Sequence, residues 1–258
     1  MRVVVAGGTG LIGSKVVDLL RPLGHDVVIA APQAGVDTIS GRGVAEAFAG
    51  ADAVVDVTNR AVFEPAVVMD FFTTSTRTLL EAGRAAGVRH HVVLSIVGVD
   101  RLSYPGYLDA KAAQERLVAS SGVPFTIVRA TQFFENLLTI GAGMAEDDVI
   151  VLPTADLQPV AADDVAAALV DVVLGAPAGG AVEVAGPERA PFARFVGPVL
   201  AADGDDRPVK PSAAASYFGV PIVRDSLVPL GAARVGRTSF QQWLSDRGQQ
   251  GVLDDDRH

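Results

Sequence analysis

Tyr107 and Lys111 stand four residues apart in Tyr107-Leu108-Asp109-Ala110-Lys111, a spacing that sets a phenol and an ammonium on one helix face. A phenol that exchanges protons at neutral pH needs its pKa brought from about 10 to about 7, a change of about 4 kcal/mol. A positive charge about 4 Å away supplies about that much at an effective dielectric of 20. The pair therefore reads as a general acid/base with its tuning cation. The alternative is a tyrosine packed at a helix start beside a solvated lysine. Ser95 closes an apolar run twelve residues before Tyr107. Its hydroxyl either polarises a substrate oxygen or ends the strand with a local hydrogen bond.

A second group of residues offers backbone rather than side chains. Gly7-Gly8-Thr9-Gly10-Leu11-Ile12-Gly13 places Gly7, Gly10 and Gly13 in a G-x-x-G-x-x-G pattern directly after an apolar run and ahead of an amphipathic one. Between a strand and a helix, such glycines permit the tight turn and bring the backbone close to a pyrophosphate. The helix N-terminus then offers free N–H groups to the phosphates. Gly7, Thr9, Gly10, Leu11, Ile12 and Gly13 are thus the expected cradle of a dinucleotide. The second apolar run ends Ile29-Ala30-Ala31-Pro32, without the acid that binds a ribose 2′-hydroxyl in NAD-preferring folds. This favours NADP(H), with NAD(H) as the other option, and Lys15 is either a partner for the extra phosphate or a solvent-facing helix residue. Asp37 either accepts from the adenine amino group or forms a turn. Asn59, beside Arg60, either approaches the middle of the cofactor or is itself a turn residue.

These groups need a scaffold, and the periodicity supplies one. Apolar, β-branched runs are expected as strands at 2–7, 26–31, 53–57, 91–96, 125–129, 149–152 and 181–185. Helical patterns occupy 11–21, 44–49, 65–86, 105–120 and 132–142, and a further helix starts near Ala162-Asp163-Asp164, where acids suit the positive helix end. Buried strands alternating with helices predict an α/β fold: a Rossmann-type, doubly wound parallel sheet. The expected division is a dinucleotide-binding domain at 1–153 and a smaller substrate-binding lobe at 154–258. The Pro- and Gly-rich stretch 186–229 is read as partly irregular, and the tail 249–258 as a solvated, mobile end. Phe71, Phe72 and Trp243 fall at helical core positions.

Composition narrows the functional classes. A net charge of −9 lacks the basic footprint of a nucleic-acid binder. The chain has no cysteine, which removes disulfides, thiolate nucleophiles and cysteine-ligated metals. Its four histidines, His25, His90, His91 and His258, lack metal-ligand spacing, so no metal is expected, and His90-His91 reads as a polar entry to a strand. Opening on a strand with no membrane-length apolar run, the protein is expected to be cytoplasmic and without a membrane partner. The helical stretches 65–86 and 105–120 are candidates for pairing across a homodimer.

Taken together, Gly7 to Gly13, the strand from His91 through Gly98, the Tyr107/Lys111 pair, Thr126 through Phe133 and Pro159 through Ala166 resemble the short-chain dehydrogenase/reductase superfamily, in its atypical NmrA-like, NAD(P)H-binding branch. The resemblance implies that Tyr107 is the general acid/base, that Lys111 lowers its pKa and holds the nicotinamide ribose, and that Ser95 takes the place of the carbonyl-polarising serine. In such strands a second serine often follows, and here Ile96 stands there. Thr131, Gln132, Phe133 and Phe134, after the fifth strand, are the candidate wall of a small-molecule pocket. Two functions follow: an NAD(P)H-dependent reductase of a small carbonyl, quinone or related electrophile, or a non-catalytic redox sensor acting through a protein partner. Epimerase or dehydratase chemistry on a nucleotide sugar ranks third, because the C-terminal lobe looks small for such a substrate.

Overall fold

Apolar runs and amphipathic stretches become strands and helices in the order the periodicity implies. The structure, a computed structural model, describes residues 1–60, 64–102 and 104–255, the side chains of 249–255 excepted. The first elements are β1 (Arg2–Ala6), α1 (Leu11–Leu20), β2 (Asp26–Ala30), α2 (Val44–Phe48), β3 (Ala53–Asp56), α3 (Pro65–Ala86), β4 (His90–Ile96), α4 (Tyr107–Ala119), β5 (Phe125–Ala130) and α5 (Leu137–Ala142). Then follow β6 (Ala145–Glu146), β7 (Val149–Pro153), β8 (Asp156–Leu157), α6 (Ala162–Leu174), β9 (Ala181–Ala185), β10 (Ala190–Pro191), α7 (Phe192–Ala202), β11 (Val209–Ser212), β12 (Arg234–Val235) and α8 (Phe240–Asp255).

Seven strands form one sheet in the order β12-β9-β5-β4-β3-β1-β2, parallel where β1 meets β2 and β3 and where β3 meets β4. This is the Rossmann-type arrangement expected from the sequence. Since β2 and β3 lie on opposite sides of β1, the chain reverses direction there, and the glycine loop leaves β1 at this switch point.

The chain divides into two compact units, and they interleave in sequence instead of meeting at residue 153. One comprises 1–129 and 165–183, the other 130–164 and 184–258. The reason is α6, which returns to the first unit after the chain has begun the second. In the first unit, Val4, Val54, Val93 and Ile127 of the sheet form a core with Leu79, Leu80 and Val118 from α3 and α4. Further along the same two helices, Val68 and Phe72 pack against Ala110. The second unit has an aromatic core, with Phe240 at 5.2 Å from Phe195 and 5.6 Å from Phe134.

Three expectations about elements need correction. The helix expected from 105 starts at Tyr107, because Gly106 has φ 127°, far from helical values. The helix expected from 132 starts at Leu137, since Phe133 bridges to Val160 and a 3₁₀ turn spans Phe134–Asn136. The stretch read as partly irregular contains the eleven-residue α7, masked in the sequence by its internal Pro198. The last helix, α8, runs to Asp255, and residues 256–258 lie outside the described ones. No helix among the described residues is long and apolar enough to cross a membrane.

Candidate active site

The glycine loop is a cradle defined by exclusion. A Cβ on Gly13 would stand 2.2 Å from the carbonyl oxygen of Gly7, and one on Gly7 would stand 2.8 Å from that of Val57. Both are far inside contact distance, so backbone fills the space that side chains would need. Gly10 caps α1 in an extended conformation with no side-chain cap. The N–H groups of the first turn therefore face the loop without a side-chain acceptor, an arrangement that suits the phosphates of a dinucleotide. Ile12 is buried beneath the loop and Leu11 exposed on it, while the Thr9 hydroxyl donates to Gln33 Oε1 at 3.2 Å. Asp37 is already engaged. Its carboxylate accepts from the Ile39 N–H at 2.9 Å and the Ser40 hydroxyl at 2.7 Å, bonds that hold its pKa below the usual carboxylate range.

At the head of α4, Tyr107 and Lys111 flank Phe72 of α3. The tyrosine ring meets the Phe72 ring edge-on at 5.6 Å, and the ammonium lies 4.6 Å from the Phe72 centroid. Phe72 was read as a core residue, and it is fully buried, but it also holds both members of the pair. Lys111, 4% exposed, donates to the Leu94 carbonyl at 2.7 Å and to Gln114 Oε1. Gln114 Nε2 in turn donates to Asp56 Oδ2 at 3.0 Å. The Tyr107 hydroxyl donates to Asn59 Oδ1 at 2.9 Å, so Asn59 meets the tyrosine as well as accepting from the Arg60 N–H.

The electrostatics correct the expectation about tuning. Burial of its hydroxyl end pushes Tyr107 up to about 12, although 37% of the residue is exposed. Burial also brings Lys111 down to about 8, against the pull of Asp56 and Glu115. The ammonium is occupied by Leu94 and Gln114, so in this state it does not draw the phenol towards 7. Tyr107 is thereby held as a neutral proton donor.

Ser95 is buried at the end of β4, and its hydroxyl has no partner among the described residues. Of its two readings, the local hydrogen bond is not formed among the described residues. In the second unit, the Thr131 hydroxyl donates to the Gln158 carbonyl at 2.7 Å. Gln132 Oε1 is buried without a partner among the described residues, and Phe133 bridges to Val160. Phe134, expected in a pocket wall, is instead core: it is 1% exposed and packs 5.3 Å from Trp243.

Two residues of this site escaped the sequence reading. Asp56 ends a fully buried strand, Ala53-Val54-Val55-Asp56, and an acid in that place needs a partner. Gln114 lies three residues beyond Lys111, within reach along one helix face. The position of each was a signal.

The chain belongs to the NAD(P)H-binding family, whose model it matches over residues 7–175. Its fold is shared with proteins of the short-chain dehydrogenase/reductase superfamily. Among its relatives, the (4-alkanoyl-5-oxo-2,5-dihydrofuran-3-yl)methyl phosphate reductase of Streptomyces griseus is 31% identical over 202 residues, covering 72% of this chain and 68% of that one. The photosystem II assembly factor Ycf39 of Synechocystis is 24% identical over 62% of this chain, which spans only 54% of that protein. Solved structures share the fold. A superfamily protein from Agrobacterium tumefaciens with bound NAD aligns over 100% of both chains at TM-score 0.71 and 19% identity. The NADPH-bound quinone oxidoreductase QOR2 of Escherichia coli aligns at TM-score 0.64 and 20% identity, over 83% of this chain and 78% of its own. The UDP-glucose 4-epimerase of Thermotoga maritima aligns at TM-score 0.72 and 16% identity, over 98% of this chain and 100% of its own.

Proposed function

We propose that the protein is an NAD(P)H-dependent reductase of a small carbonyl, quinone or related electrophile, with Tyr107 as proton donor. The observation that carries this reading is the placement of Tyr107 and Lys111 against the one Phe72 ring at the head of α4, in the same unit as the glycine loop. Gly7 to Gly13 would hold the pyrophosphate, and Lys111 would hold the nicotinamide ribose. Bound there, the reduced dinucleotide supplies the hydride equivalent. Tyr107 gives its proton to the substrate oxygen as negative charge grows on it. Even at a pKa of about 12, the phenol is a stronger acid than an aliphatic alcohol, so proton transfer to the alkoxide formed from an aldehyde or ketone runs downhill. Ser95 would stabilise the same oxygen with its free hydroxyl.

The Streptomyces griseus relative is named for a substrate with alkanoyl and oxo groups, which fits an activated carbonyl compound. Residues 31–36 after β2 carry no carboxylate to repel a 2′-phosphate, which supports NADP(H) over NAD(H). Oxidation of NADPH and NADH is followed by absorbance against aldehydes, ketones, quinones and imines. Turnover with at least one class, faster with NADPH, is the expected result.

One contact favours a second reading, a non-catalytic redox sensor: the Tyr107 hydroxyl is committed to Asn59. In that case no acceptor oxidises the cofactor, and the reduced and oxidised forms bind with different affinities.

A further inference from the structure

Lys111 is buried, yet its burial is answered from across the fold. The ammonium donates to Gln114 Oε1, and Gln114 Nε2 donates to Asp56 Oδ2 at 3.0 Å. Chemistry fixes the direction of this chain. Lysine has only donors and an ionised carboxylate only acceptors, so the amide between them must turn its oxygen to Lys111 and its nitrogen to Asp56. The other Asp56 oxygen is held by the Thr58 N–H at 3.0 Å and the Thr58 hydroxyl at 2.7 Å. The acid is 1% exposed and Gln114 is fully buried, so solvent cannot replace any of these bonds.

The other groups around Lys111 are accounted for. From α3 it meets the Phe72 ring, and from β4 the Leu94 carbonyl. On its own helix, Glu115 pulls in the same sense as Asp56 but is clamped by both arms of Arg129 at 3.0 and 2.6 Å. Tyr107 stands one turn earlier as a neutral phenol. Beside Asp56 is the neutral His91 of β4. Asp56 is therefore the negative charge joined to Lys111 by an unbroken hydrogen-bonded path.

We propose that Asp56 and Gln114 are positioning residues for Lys111: Asp56 orients the Gln114 amide and supplies the countercharge that keeps the lysine protonated and in place beside Tyr107. The inference rests on the reading of Lys111 as a working member of the site, and it extends that site to the end of β3.

The chain has three lysines, Lys15, Lys111 and Lys210, few enough for each Cε signal to be followed by NMR in the full-length protein as pH is raised. Lys111→Met assigns the signal of interest. In the wild type it should titrate near 8. Asp56→Asn puts an amide where the carboxylate was, so Gln114 flips and presents its NH₂ to the ammonium. The midpoint should then fall by at least about one pH unit, and affinity for NADPH should weaken. Adding Gln114→Glu moves the negative charge next to Lys111 while the new amide at position 56 donates to it. The midpoint should return to the wild-type value or above it. Gln114→Met, which cuts the path and leaves Asp56 in place, should also lower it, and it serves if Asp56→Asn does not fold. A midpoint unchanged in Asp56→Asn or Gln114→Met overturns the proposal, as does a folded double variant whose midpoint stays low. The titration needs neither cofactor nor turnover, so its failure is distinct from failure of the reductase reading.

Discussion

The loop after β1 and the head of α4 are built on opposite principles. The loop has almost no side chains, and its shape is set by what a Cβ would strike. The head of α4 is made of side chains gathered from distant parts of the chain: Asn59 lies 48 residues from Tyr107, and Asp56 lies 58 from Gln114. The loop tolerates no added volume at Gly7 or Gly13. The α4 head should tolerate changes of volume better than changes of charge or proton count. Binding a cofactor common to many reactions can thus rest on a rigid backbone, while chemistry rests on burial and charge that single substitutions can retune.

The largest effect should come from adding volume to the loop. Gly13→Ala drives a methyl into the Gly7 carbonyl at 2.2 Å and should cost about 3 kcal/mol of stability, with loss of cofactor binding. Gly10→Ala meets the same carbonyl at 3.4 Å, an ordinary contact, and should cost less than about 1 kcal/mol. Thermal melting and cofactor fluorescence check both, and equal losses would break the claim that backbone clearance shapes the loop.

Phe72→Leu tests the other region. It removes the ring face beneath Lys111 and the edge contact with Tyr107, which should cost about 1–2 kcal/mol. Turnover should fall further than cofactor affinity does, because the pair loses its alignment while the loop is untouched. Steady-state kinetics beside cofactor binding separates these effects.

A smaller effect is expected with pH. Burial holds His90 and His91 below the ordinary histidine value of 6.5. Below about 6.5 the unfolded chain takes up protons that the folded chain refuses. Stability present above that pH is therefore lost as pH falls through it. Both His91 ring nitrogens lack partners among the described residues, so His91→Leu should flatten this acid limb without destabilising the protein at pH 7. Urea unfolding between pH 5 and 8 measures the slope.

The same contrast explains what could be read from the sequence. Gly7, Gly10 and Gly13 were legible because backbone clearance is written in residue type and spacing alone. Tyr107 and Lys111 were legible as a pair because four residues make one helix face. Their state was not: the spacing implied a lowered phenol pKa, but the ammonium is taken up by Leu94 and Gln114, and burial acts the other way. Asp56 was passed over because its importance depends on a glutamine 58 residues away. Six of the seven strands of the sheet were legible from apolar runs, but the two-residue β12 was not, and the run at 149–152 forms β7 of a separate three-stranded sheet; α7 was hidden by Pro198, and the division into units by the return of α6.

The central claim, that Tyr107 is the proton donor of a reductase, is tested most directly by Tyr107→Phe, with turnover and NADPH affinity measured on the same preparation. The account predicts turnover lowered by about 10²-fold or more and NADPH affinity changed by less than about threefold. Turnover at the wild-type rate in Tyr107→Phe would contradict it.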